Sequence, residues 1–345
     1  MFFIINLLNT QRVEQFVKKL SDLGERKAIQ LITSILTQDT SVVGLGDDCA
    51  AIDLGKEYLL ITTDMISEKN HIPQEMRPFQ IGWFLCAINL SDIAAKGGTP
   101  LGLVVSLGLP TETSEQFLKE LSRGLNTCAT RFGTTIVGGD TKETREITLS
   151  GTAFGRVNKN EFMARRGAQI GDVVAVTGTL GKAGAGYYAL RHNITDRKIC
   201  RFLFEPWPRL NEGRILAQTH HVTSCMDLSD GLSSSLYQLQ EMNQIGVEID
   251  QGKLPISPEL RSVAKKIKNL DVPAVSLHFG GDYELLVTIP PTVFEKTKKA
   301  VGKKGVSLYP IGTVTKTKKI LLYTGSDTSV LENKGYEHFK KNITW

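Results

Sequence analysis

Six sites along the chain place aspartate beside glycine, serine or threonine, where an apolar run gives way to a turn. They are Asp47-Asp48 after Gly44-Leu45-Gly46, Thr63-Asp64, Ser91-Asp92, Gly138-Gly139-Asp140, and the pair Asp227 and Asp230 of one further turn. Any one of them alone is typical of an ordinary turn. Carboxylates gathered at one point would repel each other by about 4 kcal/mol per pair at 4 Å and an effective dielectric of 20. Six such sites therefore predict bound divalent cations, and Mg²⁺ held between aspartate and phosphate if a polyphosphate is the ligand.

Strands and helices can be assigned to most of these acidic turns. Residues 58–63 are typical of a buried strand that ends at Asp64, and 134–137 of a strand that ends at Gly138-Gly139-Asp140. Residues 79–95 are apolar on most faces, which indicates a buried helix with Asp92 near its C-terminal end. The two glycines before Asp140 would let backbone N–H groups approach a phosphate.

The order of these elements predicts an α+β fold. In the first half, strands separated by long helices favour a mostly antiparallel sheet with helices on one face. In the second half, strands alternate with helices, which favours an α/β domain. A polar stretch over 158–167 predicts the boundary between them. We therefore expect an N-terminal extension over 1–22, an N-terminal domain over 23–157, and a C-terminal α/β domain over 158–345.

Composition excludes several classes of protein. The net charge of +5 is spread along 345 residues rather than gathered in a basic stripe, so nucleic-acid binding is not expected. Five scattered cysteines without Cys-x-x-Cys spacing indicate reduced thiols in a cytoplasmic protein. The apolar residues 1–8 lack the flanks of a signal peptide and are too few to span a bilayer, so no membrane association is expected. No P-loop sequence occurs, so ATP would have to be held by metals and backbone groups.

Eight motifs in this order resemble the thiamine-monophosphate kinase family and cover the chain from about Leu23 to Phe339. They are Gly46–Ala50, Thr62-Thr63-Asp64, 89–95, 138–141, 176–181, 227–232, 282–286, and the closing Gly335-Tyr336-Glu337-His338-Phe339. The Asp-rich motifs are shared with related ATP-dependent enzymes, namely aminoimidazole ribonucleotide synthetase, selenophosphate synthetase and a hydrogenase maturation factor. The pair Asn70-His71 and the closing motif are more specific to the thiamine-phosphate branch.

The resemblance implies a reaction and an assembly. The reaction is ATP-dependent phosphorylation of thiamine monophosphate to thiamine diphosphate, the last step of thiamine diphosphate biosynthesis, with several Mg²⁺ ions. The acceptor phosphate is already ionised at neutral pH, so no general base is expected. The assembly is a homodimer in which the N-terminal sheets of two subunits form a shared barrel, so that the domain over 23–157 is implied to bind ATP and metal and to form the dimer.

The resemblance also implies site residues. The implied metal ligands are Asp47, Asp48, Thr63, Asp64, Asp92, Asp140, Asp227 and Asp230. The implied ATP-binding residues are Gly139, Asp140, Arg165 and Ser229. The implied substrate-binding residues are His71, Asp282 and Tyr336.

The chain departs from the family at three places. Gly281 stands where the family usually has a substrate-binding glutamate, and Asp282 is the carboxylate predicted to take over. Lys142-Glu143 replaces the common Thr-Arg, and Lys96-Gly97 replaces the usual Met-Gly. These departures bear on substrate details rather than on the acidic cluster.

Two alternatives stay open. A sister ATP-dependent synthetase would use similar Asp loops. Selenophosphate synthetase would need a reactive cysteine ahead of Gly44, and the hydrogenase maturation factor a cysteine near its C-terminus, and the sequence has neither. The other alternative is a catalytically silent nucleotide-binding homologue, against which the six acidic sites argue.

Overall fold

The protein is described here by a computed structural model, which covers residues 19–37, 42–194 and 196–340. Two compact units divide the described residues: those within Thr40–Gly335 form one, and those within Met1–Asp39 and Tyr336–Trp345 form the other. In the described part of the smaller unit, the first helix begins at Leu20 and the backbone N–H of His338 donates to the Glu25 carboxylate at 3.2 Å. The predicted extension over 1–22 lies mostly outside the described residues.

The described residues form eleven α-helices and thirteen strands. The helices are α1 (Leu20–Ile35), α2 (Glu68–His71), α3 (Pro78–Ala95), α4 (Glu115–Arg131), α5 (Lys182–Arg191), α6 (Arg197–Phe204), α7 (Leu210–Ala217), α8 (Leu232–Asn243), α9 (Pro258–Ala264), α10 (Val272–His278) and α11 (Pro291–Gly302). The strands are β1 (Val42–Val43), β2 (Ala50–Asp53), β3 (Glu57–Ser67), β4 (Thr99–Leu109), β5 (Ile136–Glu143), β6 (Thr148–Asn158), β7 (Val173–Thr177), β8 (Ser224–Asp227), β9 (Gly246–Asp250), β10 (Leu285–Ile289), β11 (Leu308–Thr315), β12 (Ile320–Thr324) and β13 (Asp327–Val330).

The first sheet has six strands in the order β1-β2-β3-β6-β4-β5. Every pairing is antiparallel except that between β4 and β5. Helix α3 packs on one face of this sheet and α4 packs on α3. The opposite face carries exposed side chains, among them Thr63, Met65 and Val104. The first half therefore confirms a mostly antiparallel sheet with helices on one face.

Helix α3 is the central element of this half. Fourteen of its eighteen residues are buried, because it is enclosed by the first sheet, by α4 and by α7. Where α3 and α4 cross, a Cβ added to Gly82 would lie 2.1 Å from the Leu121 carbonyl oxygen, and one added to Gly124 would lie 1.9 Å from the Phe79 carbonyl oxygen. The backbones of α3 and α4 are therefore in direct contact. This contact sets the position of α3, and with it the position of Asp92.

The second sheet has seven strands in the order β13-β12-β9-β11-β7-β10-β8. Only β9 and β12 pair in parallel, and the other neighbours are antiparallel. Strands and helices do alternate along the chain, as predicted for an α/β domain. The strands they connect are mostly not neighbours, however, so the alternation does not produce a parallel sheet. The observed architecture is mixed α+β with two mixed sheets.

Both sheets lie within Thr40–Gly335, so the division into compact units does not follow the predicted boundary near residue 157. That boundary stays a prediction. Among the described residues, no helix combines the length and the apolar character needed to cross a membrane.

Candidate active site

Three predicted aspartates converge on one point. Oxygens of Asp48, Asp92 and Asp227 lie within 4.8 Å of one another, and each comes from a different element. Asp48 lies in the loop after β1, Asp92 in the last turn of α3, and Asp227 at the end of β8. Asp48 is 8% and Asp227 2% exposed, so the carboxylates lie where water cannot fully screen their repulsion.

Neighbouring hydroxyls orient two members of this triad. Thr62 Oγ1 on β3 donates to Asp92 Oδ2 at 2.5 Å, and Ser91 Oγ donates to Asp227 Oδ2 at 2.6 Å. Burial, and then the charges of Asp64 and Asp227, raise the pKa of Asp92 well above its usual value. Burial, and then Asp48, raise the pKa of Asp227 to about 7. The hydrogen bonds from the two hydroxyls and, for Asp227, the charge of Arg165 lower these pKa values but do not cancel the effect of burial.

Asp48 has the opposite environment. Arg165 Nε donates to Asp48 Oδ1 at 2.8 Å, and Lys96 Nζ lies 2.7 Å from Asp48 Oδ2. Burial would raise the pKa of this carboxyl, but Arg165 and Lys96 outweigh burial and lower it. Lys96 Nζ also lies 2.5 Å from Asp47 Oδ1, and Asp47 Oδ2 accepts from the Arg165 backbone N–H at 2.9 Å. Asp47 and Asp48 are thereby neutralised from within the protein.

Asp64 lies beside the triad, where its charge acts on Asp92. On β3 the side chain of Thr62 faces α3, and the two-residue period places Asp64 on the same face. The Asp64 backbone N–H donates to Asn89 on α3 at 3.2 Å. Burial, and then Asp48, raise the pKa of Asp64 to about 6. Burial, and then the negative charges of Asp64, Asp227, Asp230 and Asp92, raise the pKa of Tyr283 well above its usual value.

Thr63 and Asp140 are not brought to the triad within one chain. Thr63 lies on the exposed face of the first sheet, where Thr152 Oγ1 donates to it at 3.0 Å. Asp140 lies on the edge strand β5, with its side chain 59% exposed and 3.5 Å from Lys142 Nζ. Strands β6 and β4 separate β3 from β5, so three strand spacings, about 14 Å, lie between them. Gly139 lies on the same exposed strand.

Residues predicted to bind ATP or substrate occupy separate places. Arg165 is anchored on the Asp47-Asp48 loop, and its Nη1 also donates to Gln238 at 2.9 Å. The carbonyl of Ser229 accepts from the Gly281 N–H at 2.7 Å. His71 ends α2, where its Nδ1 accepts from the Ser67 N–H at 3.2 Å. Tyr336 belongs to the smaller unit, where its hydroxyl lies 3.2 Å from His338 Nδ1.

Asp282 caps a helix. Its carboxylate accepts from the backbone N–H groups of Gly181 at 2.5 Å and Ala183 at 3.1 Å, at the start of α5. Burial raises the pKa of Asp282 to about 6, although these two hydrogen bonds act to lower it. Gly281, where the family usually has glutamate, has φ +91°. The role of Asp282 towards substrate stays a prediction, and so do the roles of the other site residues.

Three residues of this site are not among the predicted ligands. Thr62 and Ser91 are hydroxyls that directly precede a predicted ligand, but only the fold shows that they face Asp92 and Asp227. Lys96 differs from the usual residue of the family, and its side chain is fully buried against Asp47 and Asp48.

The donor set fits hard divalent cations. Carboxylate oxygens are the ligands that Mg²⁺ prefers, and burial together with neighbouring carboxylates raises the pKa values of Asp92 and Asp227. A divalent ion between Asp92 and Asp227 would remove the repulsion that burial intensifies. The arrangement can therefore bind metal and, through it, phosphate groups.

Comparisons with known proteins agree on one family. The model of the AIR synthase related protein, N-terminal domain, matches residues 46–157, and that of the C-terminal domain matches 169–324. The chain is 35% identical to the thiamine-monophosphate kinase of Methanospirillum hungatei over 318 residues, covering 92% of this chain and 99% of that protein. It is 33% identical to the enzyme of that name from Pyrococcus horikoshii, covering 86% and 91%. The solved structure of AaThiL complexed with AMPPCP and TMP superimposes with a TM-score of 0.83 at 27% identity, covering 94% of this chain and 99% of that one.

Proposed function

The chain belongs to the thiamine-monophosphate kinase family, and on that premise we propose that it transfers the γ-phosphoryl group of ATP to thiamine monophosphate, giving thiamine diphosphate. The observation that carries the proposal is the convergence of Asp48, Asp92 and Asp227 within 4.8 Å. The similar AaThiL structure holds AMPPCP and TMP, which supports a nucleotide and a thiamine phosphate as the two substrates.

The difficulty of this reaction is electrostatic rather than one of proton transfer. The acceptor phosphate is ionised at neutral pH, so its oxygen can attack without a general base. Two anionic phosphates must nevertheless meet in line. Bound Mg²⁺ would neutralise the phosphate oxygens and the charge of the transition state. The task of the chain's own residues is to hold carboxylates in fixed positions, and the hydroxyls of Thr62 and Ser91 do so for Asp92 and Asp227.

We propose a division of roles within the site. The residues proposed to hold Mg²⁺ are Asp48, Thr63, Asp64, Asp92, Asp140, Asp227 and Asp230. The residues proposed to contact ATP are Gly139, Arg165 and Ser229, with Asp140 shared between metal and ATP. The residues proposed to contact thiamine monophosphate are His71, Asp282 and Tyr336. To reach a phosphate, the Arg165 guanidinium would exchange its contact with Asp48 for one with ATP, which a cation on Asp48 would favour.

A cytoplasmic homodimer would account for the residues left outside the triad. Seven of the eight residues of β5 are exposed, and the outer face of the sheet exposes Met65, Val104 and Val137. An exposed edge strand beside apolar side chains is typical of a surface that pairs with another chain. In a dimeric barrel, Thr63 and Asp140 could enter a site that one chain leaves incomplete. The five cysteines are free, and we propose a cytoplasmic location, where thiols stay reduced.

The function is tested by ADP release from ATP and Mg²⁺ with thiamine monophosphate as acceptor. We expect turnover with the monophosphate and thiamine diphosphate as the product, and no turnover with unphosphorylated thiamine or aminoimidazole-pathway substrates. Turnover with one of the latter would instead identify a sister synthetase. ATP binding without turnover on any acceptor would favour a catalytically silent homologue.

The dimer is tested by mixing two inactive chains, Asp140→Asn and Asp227→Asn, under conditions that exchange subunits. If Asp140 completes the site of the other chain, half of the dimers in an equal mixture contain one chain of each variant. Each of these mixed dimers has one intact site of two, so about one quarter of wild-type activity should return. If both residues serve the same chain, the mixture stays inactive. Sedimentation of the wild type as a monomer would exclude the assembly altogether.

A further inference from the structure

Lys96 places a positive charge inside the acidic site. It follows α3 directly, its side chain has no exposed surface, and its ammonium nitrogen contacts three oxygens. These are Asp47 Oδ1 at 2.5 Å, Asp48 Oδ2 at 2.7 Å and the Cys225 carbonyl at 3.0 Å. Three oxygen ligands around one buried cation resemble part of a metal coordination sphere more than a surface ion pair.

Burial makes the charge of this lysine depend on its partners. An ammonium taken out of water is stabilised only when close opposite charges remain. The carboxylates of Asp47 and Asp48, both in contact with Lys96 Nζ, provide those charges. Lys96 is therefore the cationic partner of these two carboxylates within the site.

The charges around the triad are divided unevenly. On one side, Asp47 and Asp48 are matched by the side chains of Lys96 and Arg165. On the other side, the hydrogen bonds described for Asp92 and Asp227 come from the hydroxyls of Thr62 and Ser91. The charge of Arg165 also acts on Asp227, but the ion pairs described for Lys96 and Arg165 are with Asp47 and Asp48. A divalent cation would therefore gain most on the Asp92–Asp227 side.

We propose that Lys96 is a built-in cation that takes the place of a divalent ion between Asp47 and Asp48, so that Asp48 binds metal only jointly with Asp92 and Asp227. Lys96 is then a positioning residue, and Asp47 is its partner rather than a metal ligand. The inference rests on the proposed function insofar as that function requires divalent cations at this site.

The test counts Mn²⁺ ions bound per chain, by electron paramagnetic resonance of free Mn²⁺ in the presence of a non-hydrolysable ATP analogue. Lys96→Met removes the charge and keeps an unbranched chain of similar volume. We expect this variant to bind one more Mn²⁺ per chain than the wild type. Its thermal midpoint should also rise further on addition of Mg²⁺. Lys159→Met is the control, since it removes a partly exposed lysine that pairs with Asp53 at 2.5 Å, and its Mn²⁺ count should equal that of the wild type.

A second variant keeps the test decisive if Lys96→Met does not fold. Asp47→Asn keeps the shape of the side chain and removes its charge, so the wild-type Mn²⁺ count should be retained if Asp47 is only a partner of Lys96. Loss of one Mn²⁺ in Asp47→Asn, or equal counts in Lys96→Met and wild type, would overturn the inference. Failure of the proposed function is seen separately, as absence of turnover by a wild type that binds Mn²⁺.

Discussion

The hydroxyl of Ser91 donates a 2.6 Å hydrogen bond to Asp227, a residue 136 positions further along the chain. Ser91 lies in α3, which packs on the first sheet, and Asp227 ends a strand of the second sheet. Both side chains are buried, so the bond is shielded from water, and a bond to a charged group of this kind contributes about 1.5–3 kcal/mol. It holds Asp227 facing Asp48 and Asp92 and thereby joins the two halves of the site.

Replacing Asp227 by asparagine should abolish catalysis without unfolding the protein. The amide keeps the shape of the side chain and can still accept from Ser91, but it cannot neutralise a metal ion, so kcat should fall by about 10²-fold or more. Removal of a buried, uncompensated charge should leave the thermal midpoint equal to that of the wild type or higher. Asp53→Asn, at an exposed pair with Lys159, serves as the control. A tenfold loss of activity corresponds to about 1.4 kcal/mol in the activation barrier. Activity of Asp227→Asn above one tenth of wild type in the coupled assay would show that Asp227 is not part of the active site.

Gly124→Ala should destabilise the protein severely, by about 3 kcal/mol or more. The new methyl group would overlap the Phe79 carbonyl oxygen and force α3 and α4 apart. Urea denaturation followed by circular dichroism measures the loss. Gly302→Ala, at the end of α11 with nothing within 4 Å of the new Cβ, is the matched control and should be neutral or stabilising by up to about 1 kcal/mol. Equal stabilities of the two variants would contradict the close helix contact.

His278 should make stability depend on pH. Burial, and then Lys334, lower its pKa to about 4, while Asp271 and Glu332 act in the opposite direction. Because the unfolded chain binds the proton more readily, the stabilising contribution is complete above about pH 6.5 and is lost as pH falls towards 4. Over that window the wild type should lose about 3 kcal/mol at this residue.

The variant His278→Asn measures this loss, since its amide can replace the 2.8 Å contact of Nδ1 with Ser233 but takes up no proton. Denaturation at pH 8 and pH 5 should show a smaller loss of stability for the variant than for the wild type. The exposed substitution His192→Asn should cost little at either pH. A pH dependence in His278→Asn as steep as that of the wild type would exclude His278 as the source.

Gly281 cannot accept the family's glutamate without strain. Its φ of +91° disfavours any side chain by about 1–2 kcal/mol, and a new Cβ would also lie 3.2 Å from Ala183 Cβ. We therefore expect Gly281→Glu and Gly281→Ala to lower the free energy of unfolding by similar amounts. Gly133→Ala, with φ +72° and open space around the new Cβ, isolates the cost of the backbone strain alone.

The same variants test the substrate role of this position. If a carboxylate here binds thiamine monophosphate, Gly281→Glu should lower the KM for that substrate relative to Gly281→Ala. An unchanged KM would show that this chain binds its substrate without a carboxylate at position 281.

The sequence by itself determined the family, the mostly antiparallel first sheet with helices on one face, and the buried helix that carries Asp92. These follow from local signals, because apolar periodicity, turn residues and motif order can be seen within short stretches. The acidic turns also identified Asp48, Asp92 and Asp227 as candidates, although their role as metal ligands stays a prediction.

Only the tertiary structure decided which candidates meet. Thr63 and Asp64 are neighbours in sequence, yet they lie on opposite faces of β3, because side chains alternate along a strand and register alone sets the buried face. Asp140 lies three strands from Asp64 because strand order is not sequence order. The pairing of Lys96 with Asp47 and Asp48 joins positions nearly fifty residues apart. Such contacts depend on how helices and sheets pack, and no local pattern of residues specifies that packing.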